Sequence, residues 1–192
     1  MKREELYACI LQDAKANGRK SHKVKLFGDE VWKFQRLLRQ LEYFHSQTGL
    51  MKIVVKPLYF LCKFCFHNLS VKLGFSIPIN VFEPGLALPH RGTIVVASGA
   101  RIGKNCRIHE GVTIGATNGS AKAANIGDNV FIASGAKIIG DVTIANGVAI
   151  GANAVVVKSI LEPHTTWGGI PARKISEKGS RENLCDALFV ND

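Results

Sequence analysis

The sequence is poor in acidic residues, in proline and in long apolar runs. It has 15 Asp and Glu against 25 Lys and Arg, a formal net charge of +10, and six prolines in 192 residues. So few prolines, together with 46% hydrophobic residues, predict a folded protein rather than a disordered one. Lysines interrupt the apolar stretches 51–55 and 57–66 well before the about 20 apolar residues that a membrane-spanning helix needs.

Other absences narrow the class of protein. The first residues lack the apolar core and small-residue cleavage site of a secretory signal, so we expect a cytoplasmic protein. The five cysteines are scattered and odd in number, which is typical of reduced thiols. Cys62 and Cys65 form a C-x-x-C pair, but no second pair completes a zinc site, and we interpret them as structural. No nucleic-acid-binding motif accompanies the basic charge, and we expect no nucleic-acid partner.

Isoleucine recurs at every sixth position in the second half of the chain, a period that belongs neither to a helix nor to an ordinary strand. The positions are Ile102, Ile108, Ile114, Ile126, Ile132, Ile138, Ile144 and Ile150. Such a repeat predicts a solenoid, in which each unit buries its apolar side chain only by stacking on its neighbours. The polar segment 116–125 interrupts the repeat, and we expect it to leave the solenoid as a loop of the kind that commonly carries function.

The segment 1–73 shows helical periodicity instead of the repeat. We predict one helix over 4–17, a second that Asp29 caps and that ends at His45, and a third over 50–73 that kinks or restarts at Pro57. The third helix is rich in aromatic residues. Its apolar surface must be covered by the first coil of the solenoid, by a neighbouring subunit or by a membrane surface.

Four segments resemble the hexapeptide-repeat acyltransferases, in particular the serine acetyltransferase-like branch and its polysaccharide O-acetyltransferase relatives. They are residues 89–96 (PHRGTIVV), 111–115 (GVTIG), 126–130 (IGDNV) and 167–173 (WGGIPAR). The resemblance implies a mainly β fold, a left-handed parallel β-helix with an N-terminal α-helical region. We therefore expect a helical region at 1–73, the β-helix at 74–178 and a C-terminal tail at 179–192. The resemblance also implies a homotrimer that uses acetyl-CoA as co-substrate and needs no metal.

His90 occupies the position of the catalytic histidine in the resembling enzymes. Acyl transfer to a hydroxyl needs a group that takes the hydroxyl proton, so His90 is the candidate general base. The alternative is a buried core histidine, because residue 90 falls at the position of the six-residue repeat whose side chain points inward. Three hexapeptides per coil place residue n beneath residue n+18, so His109 and Glu110 should lie beside His90. There they bind the acceptor or orient His90, unless they form only a solvated corner. Thr117 and Asn118 are further acceptor-binding candidates.

In the resembling enzymes the pantetheine arm of acetyl-CoA runs along a coil edge between two subunits. Small residues that match the positions beside it are Gly115, Ala116, Ala133 and Gly151, and candidate phosphate contacts are Lys158, Arg173 and Lys174. The alternative for the glycines is that the geometry of the repeat alone requires them.

The sequence departs from the serine enzymes at Pro89, where they have an aspartate, and at residues 123 and 124, which are alanines in place of an Arg-His pair. Serine carries a carboxylate and an ammonium that need partners on burial. We therefore expect an uncharged acceptor, a sugar hydroxyl of a surface polysaccharide or its precursor, with serine O-acetylation in cysteine biosynthesis as the alternative. A γ-type carbonic anhydrase, which needs three histidine ligands, and a non-catalytic scaffold are further alternatives.

Overall fold

The computed structural model describes residues 1–117 and 119–190. Three helices come first: α1 Arg3–Ala16, α2 Glu30–His45 and α3 Gly49–Leu73. The strands that follow are β1 Phe75–Ser76, β2 Ile94–Val96, β3 Arg101–Ile102, β4 Arg107–Ile108, β5 Thr113–Gly115, β6 Asn125–Ile126, β7 Phe131–Ile132, β8 Lys137–Ile139, β9 Thr143–Ile144, β10 Ala149–Ile150, β11 Val155–Val156, β12 Thr166–Gly168 and β13 Arg173–Ser176. Two short 3-10 helices, Arg181–Asn183 and Asp186–Phe189, come last.

The strands form three sheets, which are the three faces of a β-helix. The first contains β1-β2-β5-β8-β11 and the second β3-β6-β9, both with parallel pairing. The third contains β4-β7-β10-β12, with β13 antiparallel at its edge. From β2 to β11 the chain visits the three faces in turn, with one short strand on each. The predicted left-handed parallel β-helix with an N-terminal helical region is confirmed.

The repeating isoleucines form the core of the β-helix. None of the eight is more than 2% exposed, and Ile108 pairs in register with Ile132 on the next coil. Burying one such side chain stabilises the fold by about 1.5–3 kcal/mol, so the repeat supplies much of the driving force for stacking. Asn105 and Asn129 turn the chain at one corner with φ of 57° and 55°. Their side chains are joined by an Nδ2–H···Oδ1 hydrogen bond of 2.9 Å.

The register of the strands shows two irregularities that position the candidate site. Val95 pairs with Thr113, a separation of the three hexapeptides that make a regular coil. Arg107 pairs with Phe131, a separation of four hexapeptides, so the loop after β5 adds one hexapeptide to its coil. Earlier in the chain, Ala87 bridges to Arg107, a separation that exceeds three hexapeptides by two residues. Two extra residues therefore lie between Ala87 and β2.

A buried ionic network joins the helices to the first coil. The Arg39 guanidinium donates to both carboxylate oxygens of Asp13, at 2.8 and 3.1 Å, and to Glu42 at 2.9 Å. It also donates to the carbonyl oxygens of Phe82 and Glu83. The side chains of the three charged residues are no more than 3% exposed. The network fixes α1 and α2 against the coil that precedes the candidate site.

Two details of the helices differ from the prediction. Asp29 precedes α2, but its carboxylate makes no cap and instead accepts from Arg19 at 2.7 and 2.8 Å. The left-handed backbone of Asp29, with φ of 66°, is not the extended geometry of a capping residue. The helix α3 runs through Pro57 without restarting, because Pro57 lies on an exposed side, where the carbonyl that loses its N–H partner reaches water.

The C-x-x-C pair does not share one environment. All five cysteines are free thiols. Cys62 is buried, and burial raises its pKa to about 11, whereas Cys65 is exposed. Among the residues the structure describes, no helix is long and apolar enough to cross a membrane.

Candidate active site

His90 lies on the outside of the first coil, in the segment that carries the two extra residues. Gly92 turns the chain there with φ of 135°, a conformation that only glycine adopts readily. A Cβ on Gly92 would also lie 2.8 Å from the Cβ of Glu110 on the next coil. His90 is exposed, so the alternative of a buried core histidine is wrong. The longer coil, not the phase of the repeat, directs its imidazole outward.

The structure brings His109 and Glu110 next to His90. The imidazole rings of His90 and His109 meet edge to face, with centroids 5.3 Å apart. Donor atoms of His90, His109 and Glu110 all lie within 4.8 Å of one another. Phe131 on the next coil supports the His109 ring from its other side, with centroids 5.1 Å apart. We call these two histidines and the glutamate the His90 cluster.

Partial burial and a neighbouring cation keep His109 neutral. Burial, then the charge of Arg107, then that of His90 lower the pKa of His109 below its ordinary value of 6.5, against the opposing effect of Glu110. Arg107 Nε–H donates to His109 Nε2 at 3.3 Å. His109 Nε2 is therefore the acceptor nitrogen, and the ring proton of the neutral imidazole lies on Nδ1.

Glu110 is the anion of the cluster. The Ser134 hydroxyl, followed by the backbone amide of Glu110 itself, holds the pKa of the carboxyl below its usual range, and His90 and His109 lower it further. Its Oε2 atom is shielded from solvent and has no hydrogen-bond partner among the described residues. That oxygen is free to accept from a ligand or from a protonated imidazole.

The imidazole of His90 opens into a cavity of about 390 Å³ between α2 and the first coil. Its other lining residues are Asp29, Glu30, Val31, Leu73, Pro89 and Arg91. The carboxylate of Asp29 is already paired with Arg19. Glu30 makes only a longer contact to Lys72, at 3.4 Å, and Arg91 is exposed. A carboxylate and a guanidinium therefore border the cavity of His90.

The candidate cofactor-binding residues divide between two edges of the β-helix. Ala133 and Gly151 follow β7 and β10, which lie beside β4 in one sheet, so they continue the edge on which His109 lies. Gly115 ends β5, which belongs to a different sheet, and Ala116 follows it, so both lie on another edge. One subunit alone does not bring these two pairs together.

The basic residues predicted to contact the phosphates of acetyl-CoA lie in two different environments. Lys158 and Arg173 line one cavity of about 260 Å³ together with Trp167. Lys174 instead forms ion pairs with Glu162 at 2.7 Å and Glu177 at 2.8 Å, and these carboxylates raise its pKa to about 12. To contact a phosphate, Lys174 would have to exchange these exposed carboxylates for it.

Thr117, one of the two predicted acceptor residues of the loop, lies on a different edge of the β-helix from the His90 cluster. Thr117 is exposed on the loop after β5, on the Gly115 edge. Asn118 lies outside the described residues. Any contribution of Thr117 to the site would have to come from a neighbouring subunit.

Sequence reasoning missed Arg107, Phe131 and Ser134, and it missed the charges at Glu30 and Arg91. Counting three hexapeptides per coil does not find Phe131 or Ser134, because the inserted loop makes the separation four hexapeptides at this coil. Arg107 lies two residues before His109 on the same coil, so the two-residue spacing of a strand could have found it. Counting the added hexapeptide places Phe131 over Arg107 and Ser134 over Glu110. Glu30 belongs to a helix distant in sequence, and no periodic pattern could place it beside His90.

The His90 cluster also has donors that a divalent ion accepts, namely two imidazoles and a carboxylate. The carbonic anhydrase alternative needs three histidines, and here the third donor is a glutamate.

Comparison with known proteins finds similarity to hexapeptide-repeat transferases. The bacterial transferase hexapeptide model (six repeats) matches residues 123–158. A serine acetyltransferase of Staphylococcus epidermidis (strain ATCC 35984) is 40% identical over 134 residues, which are 65% of this chain and 60% of that protein. The match thus spans less than two thirds of the relative's length.

Solved structures agree with this likeness. Serine acetyltransferase from Brucella abortus strain S19 has a TM-score of 0.72 at 23% identity, covering 93% of this chain and 72% of that one. The soybean serine acetyltransferase apoenzyme has a TM-score of 0.68 at 26% identity, covering 90% and 69%. The resemblance to the serine acetyltransferase-like branch is confirmed.

The expectation of a sugar hydroxyl as acceptor is wrong. The curated relatives are serine acetyltransferases, which supports the alternative of serine acetylation in cysteine biosynthesis. The expectation rested on missing charges at Pro89 and at residues 123 and 124. Ala123 and Ala124 are buried in the core, at 5% and 0% exposure, so charged residues have no place there in this chain. The charges that border His90 come from Glu30 and Arg91 instead.

Proposed function

We propose that this protein is an acetyl-CoA-dependent serine O-acetyltransferase. One observation carries the proposal: His90, beside His109 and Glu110, lines a cavity that Glu30 and Arg91 border with opposite charges. A zwitterionic amino acid needs both charges on burial. The names of the relatives support the same acceptor.

The reaction follows from the position of His90 in the cavity. The imidazole of His90 takes the proton from the serine hydroxyl as its oxygen attacks the thioester carbon of acetyl-CoA. The tetrahedral intermediate then expels the CoA sulfur, which receives the proton from the imidazolium. The products are O-acetylserine and free CoA thiol, and His90 returns to its neutral form.

The neighbours of His90 favour the charged state that forms during this reaction. The Glu110 carboxylate, with its unpartnered Oε2, stabilises the imidazolium through its negative charge. His109 stays neutral beside it because of its lowered pKa, and so it adds no second positive charge. The pairing with Arg107 fixes the tautomer of His109.

The two edges that hold the candidate donor residues imply a site shared between subunits. In the proposed homotrimer, the His109 edge of one subunit, with Ala133 and Gly151, faces the Gly115 edge of its neighbour. The pantetheine arm lies between them, and Lys158 and Arg173 contact the phosphates. Because acetyl-CoA is a cytoplasmic metabolite, we place the enzyme in the cytoplasm. Peripheral contact with a membrane surface through the basic helical region is a separate proposal, on which the acetyl transfer does not depend.

Release of CoA thiol with serine as acceptor tests the proposal. The wild-type protein should acetylate serine with saturation kinetics. Glu30→Gln and Arg91→Gln should each raise KM for serine about 10- to 100-fold, because each removes one charged hydrogen bond to the substrate. Arg101→Gln, an exposed arginine on another face, is the matched control and should leave KM unchanged.

The proposal fails on either of two results. One is protein that binds acetyl-CoA but releases no thiol with serine. The other is saturable acetylation of a different hydroxyl compound in preference to serine, with Glu30→Gln and Arg91→Gln leaving KM for serine unchanged.

A further inference from the structure

The helix α3 leaves a long apolar face uncovered. Of its 25 residues, only Cys62 and Leu73 are buried, on the side that packs against α2. Six apolar side chains at helical spacing lie away from that side, each between 60% and 78% exposed: Leu50, Ile53, Val54, Leu61, Phe64 and Val71. At 1.5 Å per residue this face extends about 32 Å. Soluble monomers rarely expose so long an apolar strip without a partner for it.

The charge of α3 has a single sign. The helix carries Lys52, Lys56, Lys63 and Lys72, all exposed, and no Asp or Glu. Lys72 is paired with Glu30, whereas the other three have no ion-pair partner among the residues that the structure describes. On a helical wheel Lys52, Lys56 and Lys63 form one stripe beside the apolar face.

A second segment, near one end of α3, also combines lysines with exposed apolar side chains. The segment 19–27, between α1 and α2, carries Lys20, Lys23 and Lys25. It ends in two of the most exposed apolar side chains of the protein, Leu26 at 81% and Phe27 at 85%.

Two contacts fix the place of this segment. The Leu26 carbonyl accepts from Lys33 at 2.7 Å, near the start of α2. Glu30, also in the first turn of α2, contacts Lys72 in the last turn of α3. Leu26 and Phe27 therefore lie near the C-terminal end of the exposed helix.

We propose that α3 and the segment 19–27 dock together on a bilayer that contains anionic phospholipids. Apolar side chains beside a row of lysines are the pattern of a helix that lies in the plane of the membrane interface. The alternative occupant, a second copy of α3, would bring a second set of lysines with no acidic residue on either helix to compensate them. Anionic headgroups supply that compensation, and the bilayer interior accepts Phe64 and Phe27.

Co-sedimentation of the full chain with lipid vesicles tests this inference. The protein should bind vesicles of equal parts phosphatidylcholine and phosphatidylglycerol, and binding should weaken as salt rises because exposed charges are screened over about 10 Å at 0.1 M. The triple change Lys52→Gln, Lys56→Gln and Lys63→Gln should lower the partition coefficient at least about tenfold, and so should Phe64→Glu and Phe27→Ser.

The matched control is Leu161→Glu, because Leu161 is 72% exposed but lies on the β-helix. This variant should bind vesicles as the wild type does. The changed side chains on α3 are exposed, so circular dichroism and serine acetylation should remain at wild-type values in every variant.

Absence of binding to the anionic vesicles would overturn the inference. So would equal binding to pure phosphatidylcholine that the lysine changes do not affect. If instead Phe64→Glu reduces the molecular mass in solution, the face is an interface between copies of this chain. Each of these outcomes leaves the acetyl-transfer proposal intact, since that rests on the His90 cavity.

Discussion

Two residues added to the regular coil direct the side chain of His90 away from the core and into a cavity. The same imidazole in the unmodified repeat phase would be a core residue. Its neighbours then determine its chemistry: a carboxylate with an unpartnered oxygen on one side and a neutral imidazole on the other. A base that cycles between neutral and protonated forms needs an anion nearby and no second cation in contact.

Replacing His90 by alanine should lower the rate of acetyl transfer about 10²–10⁴-fold, because a positioned base contributes that much to rate. Affinity for acetyl-CoA should change little, since the ring contacts the acceptor cavity. Thiol-release kinetics measure the rate, and calorimetric titration measures the binding. His67→Ala, at an exposed position on α3, serves as the control. Activity within a few-fold of the wild type in His90→Ala would refute the assignment.

The lowered pKa of His109 predicts a pH-dependent stability. The unfolded chain takes up this proton near pH 6.5, whereas the folded protein takes it up only at a lower pH. The stabilising contribution is therefore complete above pH 6.5 and is lost as the pH falls towards the folded pKa. Burial, then the charges of Arg107 and His90, lower the pKa of His109, and the facing carboxylate of Glu110 opposes them.

Urea unfolding of wild type and His109→Gln, measured from neutral pH to about pH 5, checks this prediction. The free energy of unfolding of the wild type should fall more steeply with acidification than that of the variant. Parallel pH profiles for the two proteins would show that the His109 proton is not linked to folding.

At the scale of elements, the Arg39 network joins helices to coil through charges that are almost fully buried. Asp13→Ala should destabilise the protein by about 3–5 kcal/mol, because it leaves the Arg39 guanidinium buried with one partner fewer. The backbone amides of Gly85 and Leu86, which donate to Asp13, would also lose their acceptor. Chemical denaturation measures the free energy of unfolding.

The exposed pair Lys178–Glu182 provides the contrast for this prediction. Both side chains are about 80% exposed, and Lys178→Gln should change stability by less than about 1 kcal/mol. A loss below about 1 kcal/mol in Asp13→Ala would mean that water or a local rearrangement replaces the carboxylate. The network would then not be what holds the helices to the coil.

At the scale of the whole molecule, the family resemblance implies a trimer, and the separation of the two edges agrees with a site shared between subunits. One subunit holds the His90 cluster on one edge and Gly115 and Ala116 on another, so only a neighbour can bring both to one acetyl-CoA. Light scattering at micromolar concentration should give three times the mass of one chain. Ala116→Trp should weaken acetyl-CoA binding by filling the space between edges. A monomer with full acetyl-CoA affinity would contradict the shared site.

The sequence alone determined the β-helix. No helix or ordinary strand has the six-residue period of its isoleucines, and each small coil buries its apolar side chains only against the next coil. The helices at the N-terminus and the choice of His90 followed from local pattern and from resemblance. The prediction that His109 and Glu110 lie near His90 followed from counting along the repeat.

The tertiary structure alone decided which residues surround His90 beyond His109 and Glu110. The register shifts of two residues before β2 and six after β5 are set by backbone pairing between coils, and they determine which side chains face one another. Glu30 lines the same cavity as His90 because the Arg39 network holds α2 against the first coil. Sequence spacing cannot show a contact between elements that are distant along the chain. The acceptor prediction failed for that reason: it counted charges at aligned positions, whereas the fold supplies them from a helix and from the lengthened first coil.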